Sequence, residues 1–166
     1  MSIEERAGEE HVARIRVPFG VLELVSDGRA LTRVAFLPKS TQAKAPADRI
    51  TAQAAREVDH YLHDPAFRFT VPLAPHGTPF QHRVWKALSQ IPAGQSRTYG
   101  EVARMISSAP RAIGQACGAN PIALIVPCHR VVGAQGALGG FMNAQEGDPL
   151  TVKRWLLVHE GYPFGA

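Results

Sequence analysis

The amino-acid sequence predicts an α+β protein with two small domains, and three observations lead to this prediction. The chain has 166 residues, a length that allows one or two small domains and excludes a large multidomain assembly. Its first half contains short strand-like segments around one amphipathic helix, whereas its second half is mostly helical in pattern. A stretch rich in proline and glycine, residues 73–78, separates the halves. We therefore place the domains at residues 1–75 and 76–166.

The first domain is predicted to be a strand hairpin followed by a helix and a last strand. Asp27-Gly28 is a turn dipeptide, and from Asp48 onward apolar residues recur at spacings of three and four until Pro65 ends the helix. The last strand of this domain is predicted over residues 67–71. The earlier strand-like segments are residues 14–17, 21–25 and 31–37. No group of reactive side chains stands out here, so we interpret this half as a scaffold.

His60 and His63 lie three residues apart on the predicted helix and could share a metal ion. No third ligand lies near them in the sequence. We favour the alternative in which both are ordinary surface residues, because a stable metal site needs more ligands than two.

The composition excludes several classes of protein. With 45% hydrophobic and 19% charged residues, the chain is neither disordered nor collagen-like. No apolar run reaches the roughly 18 residues that a membrane span needs, and the acidic residues 1–10 are not expected to be a secretory signal. Two cysteines, Cys117 and Cys128, are too few for a disulfide framework or a four-cysteine zinc site. We therefore expect a reducing, cytoplasmic compartment, beside the nucleoid if the source is bacterial.

The positive charge is confined to the second half. The chain has a formal net charge of +4. Residues 1–75 hold ten basic and ten acidic residues, whereas residues 76–166 hold eight and four. A basic half beside a neutral half indicates a polyanion partner for the basic half. The alternative is a solvated surface that is basic without binding anything.

Helix starts are well marked in the second half. Thr78 can cap a helix with Pro79 in its first turn, and Thr98 with Glu101 forms a capping box. A further helix is predicted to open at Pro110. Two short helices joined by a tight turn are typical of a helix-turn-helix.

The helix that carries Arg111 has small side chains, namely Ala112, Gly114 and Ala116. Small residues let a backbone approach another surface closely, and a helix that reads bases in the major groove would carry more Asn, Gln or Arg. A shallow groove read by shape fits better. Ordinary helix packing is the alternative, and we expect Cys117 on this helix to serve packing.

Cys128 is the candidate nucleophile. It follows the apolar run 122–126 and Pro127, which breaks that run, and it precedes His129 and Arg130. A thiol beside potential cations is expected to have a lowered pKa, and the thiolate is the reactive form. Neighbouring residues on a strand point to opposite faces, so His129 would act on Cys128 only at a bend or through water. A buried, inert cysteine is the alternative.

The last helix is predicted to begin at Asp148 and to stop at Gly161. Its buried face is expected to hold Val152, Trp155, Leu156 and His159. Glu160 at its end offers a carboxylate that could orient an imidazole, and a solvated helix end is the alternative.

These motifs resemble the O6-alkylguanine-DNA alkyltransferases, also called methylated-DNA–protein-cysteine methyltransferases. The resemblance covers nearly all of residues 77–161. Its most specific part is Pro127-Cys128-His129-Arg130-Val131 with Asn120-Pro121 before it. The other matching segments are Gly77-Thr78-Pro79-Phe80, Ile91-Pro92-Ala93-Gly94, Thr98-Tyr99-Gly100-Glu101, Arg111-Ala112-Ile113-Gly114 and Trp155-Leu156-Leu157-Val158-His159-Glu160-Gly161.

The resemblance implies a ribonuclease-H-like first domain and a winged-helix-like second domain. It implies a monomer, with the prospect of clustering on DNA, that acts on double-stranded DNA containing O6-alkylguanine, with O4-alkylthymine as a second candidate substrate. The damaged base would be flipped out from the minor-groove side, and each molecule would act once. No metal or organic cofactor is needed for such a reaction, and residues 1–75 have no cysteine for a structural zinc.

The resemblance also implies roles for residues of the reaction site. Cys128 would be the nucleophile and permanent alkyl acceptor, His129 its base through a water molecule, and Glu160 the group that holds His129. Tyr99 would donate a proton to the guanine ring, since an anionic purine leaves poorly. Asn120 would brace the turn around Cys128.

For DNA, the resemblance implies that Arg111 takes the place of the extruded nucleotide. Further DNA contacts would come from Thr98, Ala112, Gly114 and Arg130. The pocket would be formed by Val131, Phe141 and Met142, with a Met142 amide facing the guanine oxygen. Residues 139–148 depart from the family because they are longer and lack the glycine pair expected after the aromatic residue. The acceptable size of the alkyl group therefore depends on this segment.

Three other functions compete with alkyl transfer. A non-catalytic lesion binder on the same scaffold would lack the cysteine that stands at position 128. A Cys-His hydrolase would need a water site and an oxyanion hole, for which the sequence has no sign. A winged-helix transcription factor would need a base-reading helix, and the helix with Arg111 is poor for that purpose.

Overall fold

Residues 9–141 and 148–163 are described by a computed structural model. The chain is mixed α and β, as predicted, and divides into two compact units, Met1–His76 and Gly77–Ala166. Among the described residues, no helix combines the length and apolar character that crossing a membrane requires.

The first unit contains a three-stranded antiparallel sheet of β1 His11–Val17, β2 Gly20–Ser26 and β3 Leu31–Leu37, in that order. The central strand β2 is buried along nearly its whole length, because neighbours flank it on both edges. Between β2 and β3, Asp27 Oδ1 accepts the N–H groups of Arg29 and Ala30 at 2.8 and 2.9 Å. This confirms the predicted turn. The three predicted strands are also confirmed, as β1 His11–Val17, β2 Gly20–Ser26 and β3 Leu31–Leu37.

Helix α1, Arg49–His63, packs on this sheet. Asp48 caps it by accepting the N–H of Thr51 at 2.8 Å, and the Thr51 hydroxyl accepts the N–H of Asp48 at 3.3 Å. Its buried face includes Ile50, Ala54, Val58 and Tyr61. The helix and its apolar face therefore follow the prediction.

The strand predicted over residues 67–71 was wrong. Glu57 of α1 is buried, and its Oε1 accepts the N–H groups of Thr70 and Val71 at 2.6 and 3.1 Å. These backbone donors are therefore satisfied by a side chain instead of a neighbouring strand. The chain pairs with the sheet just after residue 71, at an isolated bridge between Leu73 and Leu31 of β3.

The second unit has four helices and a two-stranded parallel sheet among its described residues. Thr78 with Gln81, and Thr98 with Glu101, form capping boxes at two helix starts. The elements are α2 Pro79–Leu88, β4 Arg97–Thr98, α3 Tyr99–Met105, α4 Pro110–Gly118, β5 Val131–Val132 and α5 Asp148–His159. The predicted helices are confirmed, and the pairing of β4 with β5 brings Thr98 beside the segment that follows Cys128.

Helix α5 buries a different face from the predicted one. Trp155 and His159 are only half-buried and stack on each other, with ring centroids 4.9 Å apart. Lys153 and Leu157 are buried in their place, beside Val152 and Leu156. The observed buried face is displaced by about one residue around the helix from the predicted face. As a result, a lysine side chain lies in the interior.

Candidate active site

The backbone around Cys128 is shaped by Asn120. The Asn120 amide Nδ2 donates to the carbonyl of Val126 at 2.9 Å, and its Oδ1 accepts the N–H of Ile122 at 3.0 Å. This buried side chain therefore clamps both ends of the apolar run 122–126, which turns through Leu124 at a φ of 73°. The Cys128 N–H then bonds to the Val126 carbonyl at 2.8 Å. The thiol is placed where a tightly turned segment ends.

Cys128 opens a single 3-10 turn, Cys128–Arg130, and is not on a regular strand. This bend removes the difficulty that neighbouring strand residues point to opposite faces. The imidazole of His129 is fully buried, and its Nε2 lies 2.8 Å from Oε2 of Glu160. Its Nδ1 has no hydrogen-bond partner among the described residues.

Glu160 accepts hydrogen bonds from the guanidinium of Arg130 and the imidazole of His129. Arg130 donates from Nε to Oε1 at 2.8 Å and from Nη2 to Oε2 at 3.1 Å, beside the contact from His129. Burial alone would raise the pKa of Glu160, but its hydrogen bonds and the charge of Arg130 lower it to about 2. The carboxylate is therefore ionised at neutral pH.

The tautomer of His129 follows from this arrangement. An ionised carboxylate only accepts hydrogen bonds, so Nε2 of His129 must donate to Glu160. Burial lowers the pKa of His129, against the opposing effect of Glu160, so the ring is neutral. A neutral imidazole with a proton on Nε2 has a lone pair on Nδ1. His129 is therefore arranged as a base through Nδ1.

The expectation that neighbouring cations lower the pKa of Cys128 was wrong. Burial raises this pKa, with a hydrogen bond from Asn120 and the charge of Lys153 acting in the opposite direction. Arg130 is paired with Glu160, and His129 is neutral, so neither of them lowers the pKa of the thiol. The resting thiol is protonated and needs a base.

Cys128 lines a cavity of about 490 Å³. Helix α4 forms one side of the cavity, and residues 139–141 form another. The lining includes Tyr99, Arg111, Gly114, Cys117, Cys128 and residues 139–141. Cys117 is buried, as expected of a packing residue, and burial raises the pKa of its thiol. Its place in the same cavity as Cys128 is a feature that the sequence did not indicate.

Tyr99 crosses the cavity to the segment 139–141. Its hydroxyl donates to the Gly140 carbonyl at 3.2 Å, and burial raises its pKa to about 12. The phenol is therefore protonated and able to donate. Gly139 has a φ of +74°, and a Cβ there would lie 3.0 Å from the Tyr99 ring. Both the positive φ and the close ring favour glycine at this position.

The residues predicted to contact DNA are spread over the unit. Arg111 is exposed in the first turn of α4 and, with Gly114, borders the cavity. Ala112 is half-buried on the same helix, and Thr98 caps α3. Arg130 differs from these, since only 13% of its side chain is exposed and Nη1 donates to the Ile91 carbonyl at 2.6 Å. Its guanidinium points into the protein.

The predicted pocket residues have three outcomes. Phe141 lines the cavity, and Val131 is fully buried in β5. Met142 lies outside the described residues, as do the following residues of the atypical segment up to 147.

Lys153 is a site residue that the sequence reasoning missed. It is 0% exposed, and its Nζ donates to the carbonyls of Val131 at 2.7 Å and Gly140 at 2.8 Å. Burial lowers its pKa to about 8. The signal was its spacing, because Lys153 precedes the apolar Leu156 and Leu157 by three and four residues and so shares their face.

The described residues hold no group of three or more His, Cys, Asp or Glu side chains that is arranged to bind a metal ion. The two histidines considered for that role have other neighbours. His60 stacks on Phe67 with centroids 5.1 Å apart, and His63 Nδ1 lies 2.8 Å from the Asp59 carbonyl.

Comparisons of sequence place this site among known proteins. A sequence profile described as 6-O-methylguanine DNA methyltransferase, DNA binding domain, matches residues 79–162. A methylated-DNA–protein-cysteine methyltransferase of Methanosarcina mazei is 41% identical over 153 residues, which are 88% of this chain and 94% of that relative. One from Mycobacterium bovis is 40% identical over 156 residues, covering 90% and 92%.

Comparisons of structure agree with those of sequence. The crystal structure of Mycobacterium tuberculosis O6-methylguanine methyltransferase matches with a TM-score of 0.79 and 39% identity, over 92% of this chain and 93% of that one. The same organism's OGT in complex with DNA matches with a TM-score of 0.76 and 39% identity, over 91% and 94%. The similarity thus extends over nearly the whole chain and is not confined to the second unit.

Proposed function

The chain belongs to the methylated-DNA–protein-cysteine methyltransferase family, and from this premise we propose that it repairs DNA by moving an alkyl group from O6 of guanine onto Cys128. One observation carries the assignment to this residue. Cys128 lines a cavity of about 490 Å³ while His129, bonded to Glu160, has its Nδ1 without a partner among the described residues. A thiol, a base and an orienting carboxylate are the parts that a cysteine nucleophile needs.

The proposed reaction begins with proton removal. His129 takes the thiol proton of Cys128 at Nδ1, through a bridging water molecule. The imidazolium that forms is stabilised by the ionised Glu160, whose pKa is about 2. Because the resting thiol is held protonated by burial, this step supplies the thiolate.

The thiolate then attacks the alkyl carbon. The sulfur–carbon bond forms as the bond from carbon to guanine O6 breaks, and the electron pair of that bond goes to the purine. Tyr99 is protonated and lines the cavity, so it donates a proton to the departing ring. The proton on His129 restores the phenol through solvent. The thioether product is stable, so each molecule acts once.

We also propose how the chain meets DNA. The damaged base leaves the duplex on the minor-groove side and enters the cavity, while Arg111 at the edge of that cavity takes its place. The small side chains of Ala112 and Gly114 let α4 approach the groove. Thr98 lies at the start of α3 with a hydroxyl available to a phosphate.

The positive charge of the second unit supports contact with DNA, but not all of its cations are available at the surface. Of its eight cations, Lys153 is buried, and Arg130 is only 13% exposed and is paired with Glu160. The cations that are exposed or half-buried are Arg83, Lys86, Arg97, Arg104, Arg111 and Arg154. We therefore propose that Arg130 positions Glu160 instead of binding DNA, which revises its predicted role.

The finer description of the fold is part of the proposal. A first unit with three antiparallel strands and a helix suits a ribonuclease-H-like scaffold, and four helices with a small sheet suit a winged-helix-like domain. We propose residues 76–166 as the part that binds DNA and performs transfer. We further propose a monomer without a cofactor, acting in the cytoplasm where nucleoid DNA is accessible.

Mass spectrometry tests the assignment of Cys128. After incubation with a duplex that carries one O6-methylguanine, we expect one methyl group per protein on the peptide that contains Cys128. The Cys128→Ala variant should accept none, because it has no sulfur at that position. Cys117→Ser is the matched control, and it should still place its methyl group on Cys128. Stoichiometric transfer in Cys128→Ala, or a methyl group on another residue, would contradict the proposal.

A further inference from the structure

We infer that Gly94 is a positioning residue for alkyl transfer: it lets the turn after α2 lie against the backbone of Glu160, and so helps to place the carboxylate that holds His129. The inference rests on the proposed function, since it adds a residue that serves the same site. Gly94 is not among the residues that line the cavity around Cys128, so its effect on the reaction passes through Glu160.

The turn that carries Gly94 is anchored to the end of α2. The N–H of Ile91 donates to the Leu88 carbonyl at 3.0 Å, and the Ile91 side chain is buried. The chain then turns over residues 92–95, and a hydrogen bond of 3.1 Å between the first and last of these residues closes the turn. Gly94 has a φ of +83° in this turn, a left-handed conformation that favours glycine.

The same segment reaches Glu160 in two ways. The Ile91 carbonyl accepts from Arg130 Nη1 at 2.6 Å, and this guanidinium also donates to both carboxylate oxygens of Glu160, at 2.8 and 3.1 Å. At Gly94, an added Cβ would lie 3.1 Å from the Glu160 carbonyl oxygen. Even a close C–H···O contact keeps about 3.3 to 3.6 Å between carbon and oxygen. The backbone of Glu160 therefore occupies space that only glycine leaves free.

A side chain at position 94 disturbs Glu160 whichever part of the structure moves. If the backbone of Glu160 moves away from the new Cβ, its carboxylate is displaced from Nε2 of His129, which lies 2.8 Å from Oε2. If the turn moves instead, it draws the Ile91 carbonyl away from Arg130. Both movements weaken the arrangement that keeps the His129 proton on Nε2 and leaves Nδ1 as the base.

The single-turnover rate of Gly94→Ala on a duplex with O6-methylguanine tests this inference. A misplacement of 1 Å can cost about a hundredfold in rate, so a shift of a few tenths of an ångström should cost about threefold to tenfold. Affinity for an undamaged duplex, measured by fluorescence anisotropy, should stay as in the parent, because the change acts on the base and not on α4.

Gly28→Ala is the matched control. Gly28 also has a positive φ, of +92°, but an added Cβ there would lie 3.6 Å from the side chain of His11, an ordinary contact. The variant therefore carries a similar backbone cost in the first unit, away from Glu160, and its rate of transfer should equal that of the parent protein.

A double-variant cycle shows whether Gly94 acts through Glu160. In a chain that already carries Glu160→Gln, the ionised carboxylate is gone, so Gly94→Ala should cause no further loss of rate. Changes that act on one unit are not additive, whereas independent changes are. If the two losses multiply in the double variant, Gly94 acts by another mechanism and the inference is overturned.

A further readout needs no DNA. The Nε2 proton of His129 is buried in a short, charge-assisted hydrogen bond, so NMR of protein labelled with 15N-histidine should show it at low field. Its shift in Glu160→Gln assigns the resonance. We expect it to move to higher field in Gly94→Ala, because the bond lengthens, and to stay in place in Gly28→Ala. This result can be obtained even if transfer from DNA fails, so the inference and the proposed function fail separately.

An Nε2 proton resonance that stays in place in Gly94→Ala would overturn the inference, whether or not the rate falls, since the effect would then not reach His129. If circular dichroism shows that Gly94→Ala does not fold, Gly94→Asn replaces it in every comparison. Asparagine adopts the left-handed conformation more readily than alanine and still carries a Cβ. The parent's rate and resonance in Gly94→Asn would then overturn the inference.

Discussion

Glu57 of the first unit and Glu160 of the second unit are both buried, with 6% and 7% of their surface exposed. Among the described residues, the donors to Glu57 are neutral: the backbone and hydroxyl of Thr70, the N–H of Val71 and the amide of Gln53. Glu160 accepts from a guanidinium and an imidazole instead. In both cases burial alone would raise the pKa, but the partners lower it.

The difference between the donors separates structure from chemistry. Two of the neutral donors to Glu57 are backbone groups thirteen and fourteen residues away, so this carboxylate fixes the path of the chain. The donors to Glu160 are Arg130 and His129. Arg130 keeps the carboxylate ionised, and the carboxylate in turn sets the tautomer of His129. A buried carboxylate therefore acquires a chemical role from a partner that can change its own protonation state.

The largest expected effect is on the rate of transfer in Glu160→Gln. The amide carries no charge to stabilise an imidazolium on His129. Because an amide can donate as well as accept, it also no longer fixes the proton of His129 on Nε2, and Nδ1 is no longer kept free to act as the base. General-base catalysis is typically worth 100-fold or more, so we expect a loss of at least about a hundredfold in the single-turnover rate. Rapid quenching of the reaction with a duplex that contains O6-methylguanine measures it.

Glu57→Gln is the matched control for that experiment. It makes the same chemical change at a buried glutamate outside the site, and its transfer rate should equal that of the parent protein. Equal losses in the two variants would mean that the second carboxylate acts only through folding and would remove the distinction drawn between them.

The next largest effect is on the stability of the first unit in Glu57→Ala. The N–H groups of Thr70 and Val71 lose their acceptor; Thr70 is exposed, so water can replace it there, whereas the buried donor of Val71 stays unsatisfied, and we expect a loss of about 1 to 3 kcal/mol. Hydrogen exchange at residues 67–71 should accelerate. The two tryptophans, Trp85 and Trp155, both lie in the second unit and should report unchanged fluorescence. Slow exchange at residues 67–71 in this variant would show that another group holds the segment.

The smallest effect is on acid stability. The pKa of Glu160 is about 2 in the folded protein, below its ordinary value of 4.5. Its contribution is therefore complete above the ordinary value and is lost as the pH falls from 4.5 towards 2. We expect the parent protein to exceed Glu160→Gln in free energy of unfolding by up to about 2 kcal/mol near pH 6, and the difference to vanish near pH 2.

Urea titrations followed by tryptophan fluorescence measure this difference, because both tryptophans lie in the unit that contains Glu160. A difference that stays constant from about pH 6 to pH 2 would show that ionisation of Glu160 does not contribute to the stability of the folded protein.

Much of the local structure could be predicted because it depends on neighbours in the sequence. Asp48, Thr78 and Thr98 cap helices whose first N–H groups lie two or three residues ahead, so each helix start was readable. The exception shows the limit. Residues 67–71 have strand-like side chains, yet a carboxylate ten or more residues earlier took their backbone donors.

The sequence by itself determined the helix starts and the position of the thiol after Pro127, because steric and capping rules act over a few residues. Only the tertiary structure decided the chemistry around that thiol. Arg130 pairs with Glu160 thirty residues away, and Lys153 lies on the buried face of α5, which is not the face that the sequence predicted. Both depend on which surfaces pack together, and burial then sets the pKa values on which the proposed reaction depends.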